Sequence, residues 1–168
     1  MFGRWLRAPE RPPEGAEELR SVVRQNLGSA DEDTVRVVTA LAGLVGVVAY
    51  ADRDYSELEE RQLRSELARI HGMTAAGIEA ICAVLRRHIL EVATVQLPRY
   101  ARELVALADR ELRFDILQVL VDVAASDGNI THAETNMLRT VTTALGLDQR
   151  DYNAAQARHR EKLSALKS

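Results

Sequence analysis

Four carboxylates stand in the same spacing in two separate stretches of this chain. Each stretch has an Asp, a short polar turn, a Ser or Thr, and a Glu three residues later. The carboxylates are Asp52 and Glu59 in the first stretch and Asp127 and Glu134 in the second, with Asp54 and Asn129 as further oxygen donors. Hard divalent cations bind several carboxylate and carbonyl oxygens gathered in one place. If the two stretches fold against each other, they form a candidate site for one divalent metal ion.

The same motif has a structural interpretation, which the sequence leaves open beside the metal site. Ser56 with Glu59, and Thr131 with Glu134, have the spacing of a capping box, in which side chain and backbone exchange hydrogen bonds at a helix start. The preceding Asp can close a turn by accepting a backbone N–H two residues on. A third interpretation is a carboxylate-lined surface for a partner.

A calcium-binding EF-hand loop is excluded by its last position. Asp127 and Asn129 fit the first and third loop positions, but the twelfth position requires a bidentate Glu. That position holds Leu138 in the second stretch and Leu63 in the first. Neither stretch is therefore an EF-hand loop.

The elements that must position these residues are helices. Apolar residues recur at helical spacing between short polar breaks, and no stretch shows the alternation of a strand. The pattern predicts an all-α bundle of about seven to eight helices. Two helix-turn-helix pairs, residues 37–71 and 112–146, are predicted to be related by a pseudo-twofold axis. A single domain is expected over 14–160, between a flexible segment at 1–13 and a fraying tail at 161–168.

Local signals predict where the helices begin and which one is central. Polar caps are predicted at Asp31, Ser56, Thr74, Asp109, Thr131 and Asp148. Residues 37–51 form a run of fifteen without a charge, shorter than the ~20 that a membrane span needs. This run is predicted to be a buried central helix, and Cys82 in its apolar context is predicted to be buried.

Composition narrows the classes of function. Net charge is −3 and aromatic residues make up 4% of the chain, which argues against binding nucleic acid. The single cysteine excludes an internal disulfide and fits a cytoplasmic location. No signal peptide and no stable membrane insertion are expected. Phe2, Trp5 and Leu6 beside two arginines form a short amphipathic patch, for which a tail folded on the domain is favoured over membrane docking.

The residues ADRDYSELE and SDGNITHAE resemble the ADG-x-hydrophobic-x-x-x-E signature of TerB-like domains, named for tellurite resistance. The same domain type precedes the J domain of DjlA-type co-chaperones. The resemblance covers residues 35–155 and implies an all-α fold with pseudo-twofold symmetry. It also implies an acidic metal site, which would comprise Asp52, Glu59, Asp127 and Glu134. The first copy departs from the signature, because Arg53 replaces the glycine that the second copy has as Gly128.

We therefore expect a non-enzymatic stress-response module that mediates protein interactions and binds a divalent metal through the paired acidic turns. Two alternatives stay open. One is a metal-dependent enzyme that uses the same carboxylates, although the Glu-x-x-His pairs of a ferritin-like di-iron site are absent. The other is a purely structural helical scaffold or homodimer.

Overall fold

The computed structural model describes residues 14–167, apart from the side chains of residues 94 and 95, and all regular elements in that range are α-helices. In chain order these are α1 (Glu14–Asn26), α2 (Glu32–Ala49), α3 (Glu57–Leu67), α4 (Ala75–Val95), α5 (Leu97–Leu107), α6 (Arg110–Ala124), α7 (His132–Ala144) and α8 (Gln149–Lys167). The predicted all-α bundle is confirmed. The predicted segment 1–13 lies outside the described residues. Because α8 continues through Lys167, fraying of 161–168 stays a prediction.

Helix α2 is the centre of the bundle. It contacts α1, α3, α4, α5, α6 and α7, and most of its residues are buried. This confirms the predicted central position of the uncharged run at 37–51. Gly43 permits the ring of Tyr100 on α5 to approach α2, and Gly46 faces Ile89 on α4. None of the eight helices combines the length and apolar composition that crossing a bilayer requires.

The predicted caps are present because each depends on a short polar side chain and on the N–H groups that follow it. Asp31 accepts from Thr34 N–H at 2.7 Å, and Asp109 accepts from Leu112 N–H at 2.8 Å. Thr74 accepts from Gly77 N–H at 3.0 Å. The remaining predicted caps are Ser56, Thr131 and Asp148, which also accept backbone N–H groups. Each cap satisfies a donor that the first helical turn leaves without an intrahelical partner.

A kink in α4 was not predicted. At His88 the backbone has φ −117° and ψ 17°, outside the helical range. The kink lies where α1 begins: His88 Nε2 is 2.7 Å from a carboxylate oxygen of Glu18, and a Cβ on Gly15 would lie 2.6 Å from His88 Cβ. The start of α1 is therefore held against α4 by close backbone approach at Gly15.

Contacts between the helices of the two helix-turn-helix pairs occur in matched sets. Helix α2 contacts α4 and α7, while α6 contacts α8 and α3. Similarly, α3 contacts α4 as α7 contacts α8. The cross-contacts of α3 with α6 and of α7 with α2 hold α3 and α7 against the other half. The twofold axis itself stays a prediction.

Candidate acidic site between the two turns

The turns after α2 and α6 have the same local geometry. Asp52 accepts the backbone N–H of Asp54 at 3.0 Å, and Asp127 accepts that of Asn129, also at 3.0 Å. These are the predicted Asp-closed turns. The residue after each Asp has a left-handed backbone, with φ 65° at Arg53 and φ 96° at Gly128. The sequence signal for a positive φ was thus correct at Gly128, and Arg53 adopts the same region despite its side chain.

Gly128→Ala is expected to lower the free energy of unfolding by about 1 kcal/mol, because an L-residue at this φ is strained. A Cβ at residue 128 would have no atom within 4 Å, so the loss comes from the backbone alone. Urea unfolding followed by circular dichroism measures it. Arg53→Gly is the matched control. Glycine relieves the backbone strain at residue 53 but also raises the conformational entropy of the unfolded chain, and these two effects on the free energy of unfolding oppose each other. An unchanged stability for Gly128→Ala would contradict the prediction.

Both predicted capping boxes are formed. Glu59 Oε2 accepts the N–H of Ser56 at 2.8 Å, and Glu59 N–H donates to Ser56 Oγ at 3.2 Å. In the second turn, Glu134 Oε2 accepts the N–H of Thr131 at 2.9 Å, and the return bond is 3.2 Å. The structural interpretation of the motif is therefore correct for its Ser, Thr and Glu residues. In each box Oε1 of the glutamate is left for another contact.

That further contact joins the two halves of the molecule. Glu59 is 4% exposed and Glu134 is 2% exposed, and each carboxyl group lies close enough to affect the pKa of the other. Burial, followed by the proximity and the charge of Glu134, raises the pKa of Glu59 to about 7. Burial likewise raises the pKa of Glu134. Two carboxyl groups in contact repel each other when both are ionised. This repulsion favours a state in which they share one proton near neutral pH.

The structure brings only part of the predicted metal site together. The charge of Asp52 acts on Glu134 and contributes to its raised pKa, so Asp52 lies near the pair. Asp52, Asp54, Asp127 and Asn129 are all exposed. Within residues 14–167, no three His, Cys, Asp or Glu side chains are arranged to hold a metal ion. The site is a buried pair of glutamates with one aspartate nearby.

The family model for tellurite resistance protein TerB matches residues 38–157, which include both acidic turns. The chain belongs to the TerB family. Comparisons with curated proteins and with solved structures gave no match. As a TerB protein it is a tellurite-resistance-type module, and the predicted resemblance is confirmed. The match runs from within α2 into α8 and leaves all of α1 outside it.

Two buried hydroxyl groups of this TerB protein lie at the acidic turns and were not identified from the sequence. Tyr55 Oη and Ser126 Oγ are buried without a hydrogen-bond partner among the described residues. Burial raises the pKa of Tyr55, with a further contribution from Cys82. Cys82 is fully buried, as predicted, and burial raises the pKa of its thiol to about 11. No pattern in the sequence distinguishes Tyr55, because Ile130 occupies the same position in the second copy.

Proposed function

We propose that this TerB protein is a non-enzymatic module that binds protein partners, and that its Glu59–Glu134 pair exchanges a shared proton for one divalent cation. The observation that carries the cation proposal is the buried carboxyl contact between α3 and α7. Loss of the shared proton would leave two negative charges together in a site of low dielectric constant. A cation relieves that repulsion, as the proton does.

The residues at the pair fit a cation as two carboxylate ligands, not as a complete protein cage. Ca²⁺ takes six to eight oxygen ligands, and Mg²⁺ commonly retains several water molecules. A cation at Glu59 and Glu134 would therefore keep much of its water shell. Asp52 is a further carboxylate whose charge acts on the pair, since it contributes to the raised pKa of Glu134. Such a site would be weak, and it would bind more tightly at high pH because protons compete for the same oxygens.

Apolar groups on the surface support the partner-binding part of the proposal. Leu166 on α8 is 84% exposed, and Leu163 one turn earlier is also exposed. Both line a shallow groove of about 290 Å³ with residues from α3 and from the end of α6 and the turn that follows it. Exposed apolar residues at one surface are typical of protein interaction sites. The net charge of −3 favours protein partners over nucleic acid, and the buried single cysteine fits a cytoplasmic module. A homodimer through this surface is one form that the interaction can take.

Addition of a divalent cation to chelator-stripped protein at pH 8 is expected to raise the free energy of unfolding. A cation that binds only the folded protein adds about 1.4 kcal/mol at ten times its dissociation constant. Calcium, magnesium, manganese and zinc are added in turn, and thermal unfolding is measured. The stabilisation should be lost in Glu59→Gln and reduced in Asp52→Asn.

Two variants serve as controls for this measurement. Glu57→Gln removes an exposed carboxylate from the same first turn of α3 and should leave the stabilisation unchanged. Asp127→Asn tests the predicted four-carboxylate site, since an equal loss in Asp127→Asn and Asp52→Asn would place both turns at the ion. No stabilisation by any of the four ions would refute cation exchange and leave the glutamates as a proton-sharing contact.

A further inference from the structure

An apolar groove lies beside the first acidic turn, between the end of α2, the second half of α4, and α7. Its volume is about 350 Å³, at the lower end of the range for small-molecule sites. The apolar residues that line it are Val47, Ala51, Leu90, Ala93 and Met137. Val47 is fully buried, whereas Leu90 is 62% exposed, so the groove has a buried floor and an open rim. It therefore offers a hydrophobic surface that a ligand can reach from solvent.

Two polar side chains of the first acidic turn also line this groove. They are Tyr50 and Arg53, and Arg53 is the only charged residue among the described residues that line it. In sequence Arg53 stands between Asp52 and Asp54, yet it forms no ion pair with any side chain that the structure describes. Its guanidinium N–H groups and the hydroxyl of Tyr50 are hydrogen-bond donors that a bound molecule can use. The groove thus combines an apolar lining with donors and one positive charge.

The backbone of Arg53 shows that its side chain is held at the groove despite strain. Its φ of 65° lies in the left-handed region, which is unfavourable for a residue with a Cβ. In the second turn the corresponding residue is Gly128, for which this region is open, and Ala125 corresponds to Tyr50. Strained backbone conformations cluster at ligand sites and switch regions. The first turn therefore carries, at a cost, two donors that the second turn lacks.

We propose that this groove binds an aliphatic carboxylate. The methylene chain of the ligand lies on Leu90, Ala93 and Met137, and its carboxylate accepts hydrogen bonds from the Arg53 guanidinium and the Tyr50 hydroxyl. A guanidinium can bind a carboxylate through two parallel N–H donors, which fixes the orientation of the ligand. The flexible thioether of Met137 adapts its shape to the chain that it contacts. This binding site goes beyond the proposed function and is independent of the buried glutamate pair.

Octanoate is the probe, and isotope-labelled methionine methyl groups in the full-length protein report where it binds. Titration with octanoate below its micelle concentration should shift the NMR signal of Met137 and leave that of Met73 unchanged. Met73 lies outside the groove, where its sulfur is close to Gly77 on α4. Decanoate should bind severalfold more tightly, because each buried methylene group adds to the affinity. Octanamide, with the same chain but no charge, should bind about tenfold more weakly than octanoate.

Variants at two arginines separate recognition of the charge from recognition of the chain. Arg53→Gln should weaken octanoate binding about tenfold and leave octanamide binding unchanged, because it removes the guanidinium and keeps the apolar lining. Arg61→Gln is the matched control, since Arg61 is an exposed arginine that lines a different groove. It should bind both ligands as the wild-type protein does. Far-UV circular dichroism verifies that both variants are folded.

Several results would overturn the proposal. A Met137 signal that does not respond to octanoate, or a Met73 signal that responds equally, would show that the groove is not a specific site. Equal affinity of the wild-type protein for octanoate and octanamide would show that the groove does not recognise a charge. Unchanged octanoate binding in Arg53→Gln would place the carboxylate elsewhere. Tighter binding of acetyl-trileucine than of decanoate would make a peptide C-terminus the occupant. None of these results bears on cation exchange by the glutamates, which the unfolding experiment with added cations tests separately.

Discussion

Glu59→Gln is expected to make the protein more stable than wild type at pH 8, by up to about 3 kcal/mol. The physical reason is the burial of two carboxyl groups in contact with each other. An amide at residue 59 can still accept the N–H of Ser56 through its oxygen. Its NH₂ group can donate to Glu134, and so supplies permanently the hydrogen bond for which the wild-type pair needs a shared proton.

The raised pKa values determine the direction in which the free energy of unfolding changes with pH. The carboxyl of Glu59 has its pKa raised from 4.5 to about 7 in the folded protein. The folded state thus binds a proton that the unfolded state has already released over this range, and stability falls as pH rises. The contribution of the pair is fully present below about pH 4.5 and is lost as pH passes 7. Glu59→Gln removes this loss, so the two proteins should differ little at pH 4.5 and most above pH 7.

Urea unfolding at several pH values between 4.5 and 8.5, in the presence of chelator, measures the effect as a change of midpoint at constant slope. Glu57→Gln, in the same turn of α3 but exposed, should follow the wild-type curve. Glu134→Gln should resemble Glu59→Gln, and the double variant should gain less than the sum because the two share one contact. Parallel pH curves for wild type and Glu59→Gln would show that the pair does not hold a shared proton.

The sequence predicts those parts of the site that depend only on residues a few positions apart in the chain. Helix caps, the Asp-closed turns and the capping boxes depend on one side chain and on N–H groups two or three positions away. The left-handed conformation of Gly128 likewise depends only on residues that are neighbours in the chain. The motif at 127–134 therefore specifies its own turn, whatever the rest of the bundle does.

The contact between Glu59 and Glu134 could not be predicted in this way, since it depends on how α3 and α7 pack against the opposite half of the molecule. The sequence indicated four equivalent carboxylates, yet the two glutamates are buried while Asp52 and Asp127 are exposed. Each Asp is positioned by the N–H two residues on, whereas each Glu extends from the first helical turn toward the other half. Similar spacing in the chain thus corresponds to different environments in the fold.

The kink at His88 could not be predicted from the sequence either, because it too depends on a residue that is distant in the chain. The sequence around it, Leu85 to Ile89, is uninterrupted by Pro or Gly, the usual local causes of a kink. What distinguishes the position is a distant residue, Gly15, which brings α1 against His88. Close backbone approach between helices far apart in sequence has no local signature.

Gly43→Ala is expected to lower the free energy of unfolding by about 3 kcal/mol, at the upper end for overpacking in a core. A Cβ on residue 43 would lie 2.2 Å from Cε2 of Tyr100, and two further ring atoms would lie within 2.6 Å. Tyr100 is 2% exposed, so its ring has no free space into which to move. Alanine favours a helix over glycine by nearly 1 kcal/mol, and the clash must exceed this gain.

Gly28→Ala is the matched control for this variant, because a Cβ on residue 28 meets no atom within 4 Å. Tyr100→Leu provides the rescue, since it removes the ring; the hydroxyl has no hydrogen-bond partner among the residues that the structure describes. In the double variant Gly43→Ala/Tyr100→Leu, the loss of unfolding free energy should be smaller than the sum of the losses in the two single variants. The difference should be about 1 to 3 kcal/mol, the range for residues in contact. Strict additivity, measured by urea unfolding, would mean that α2 and α5 separate easily. Because α2 leads directly into the turn of Asp52, its spacing from α5 also sets where that turn lies relative to Glu134.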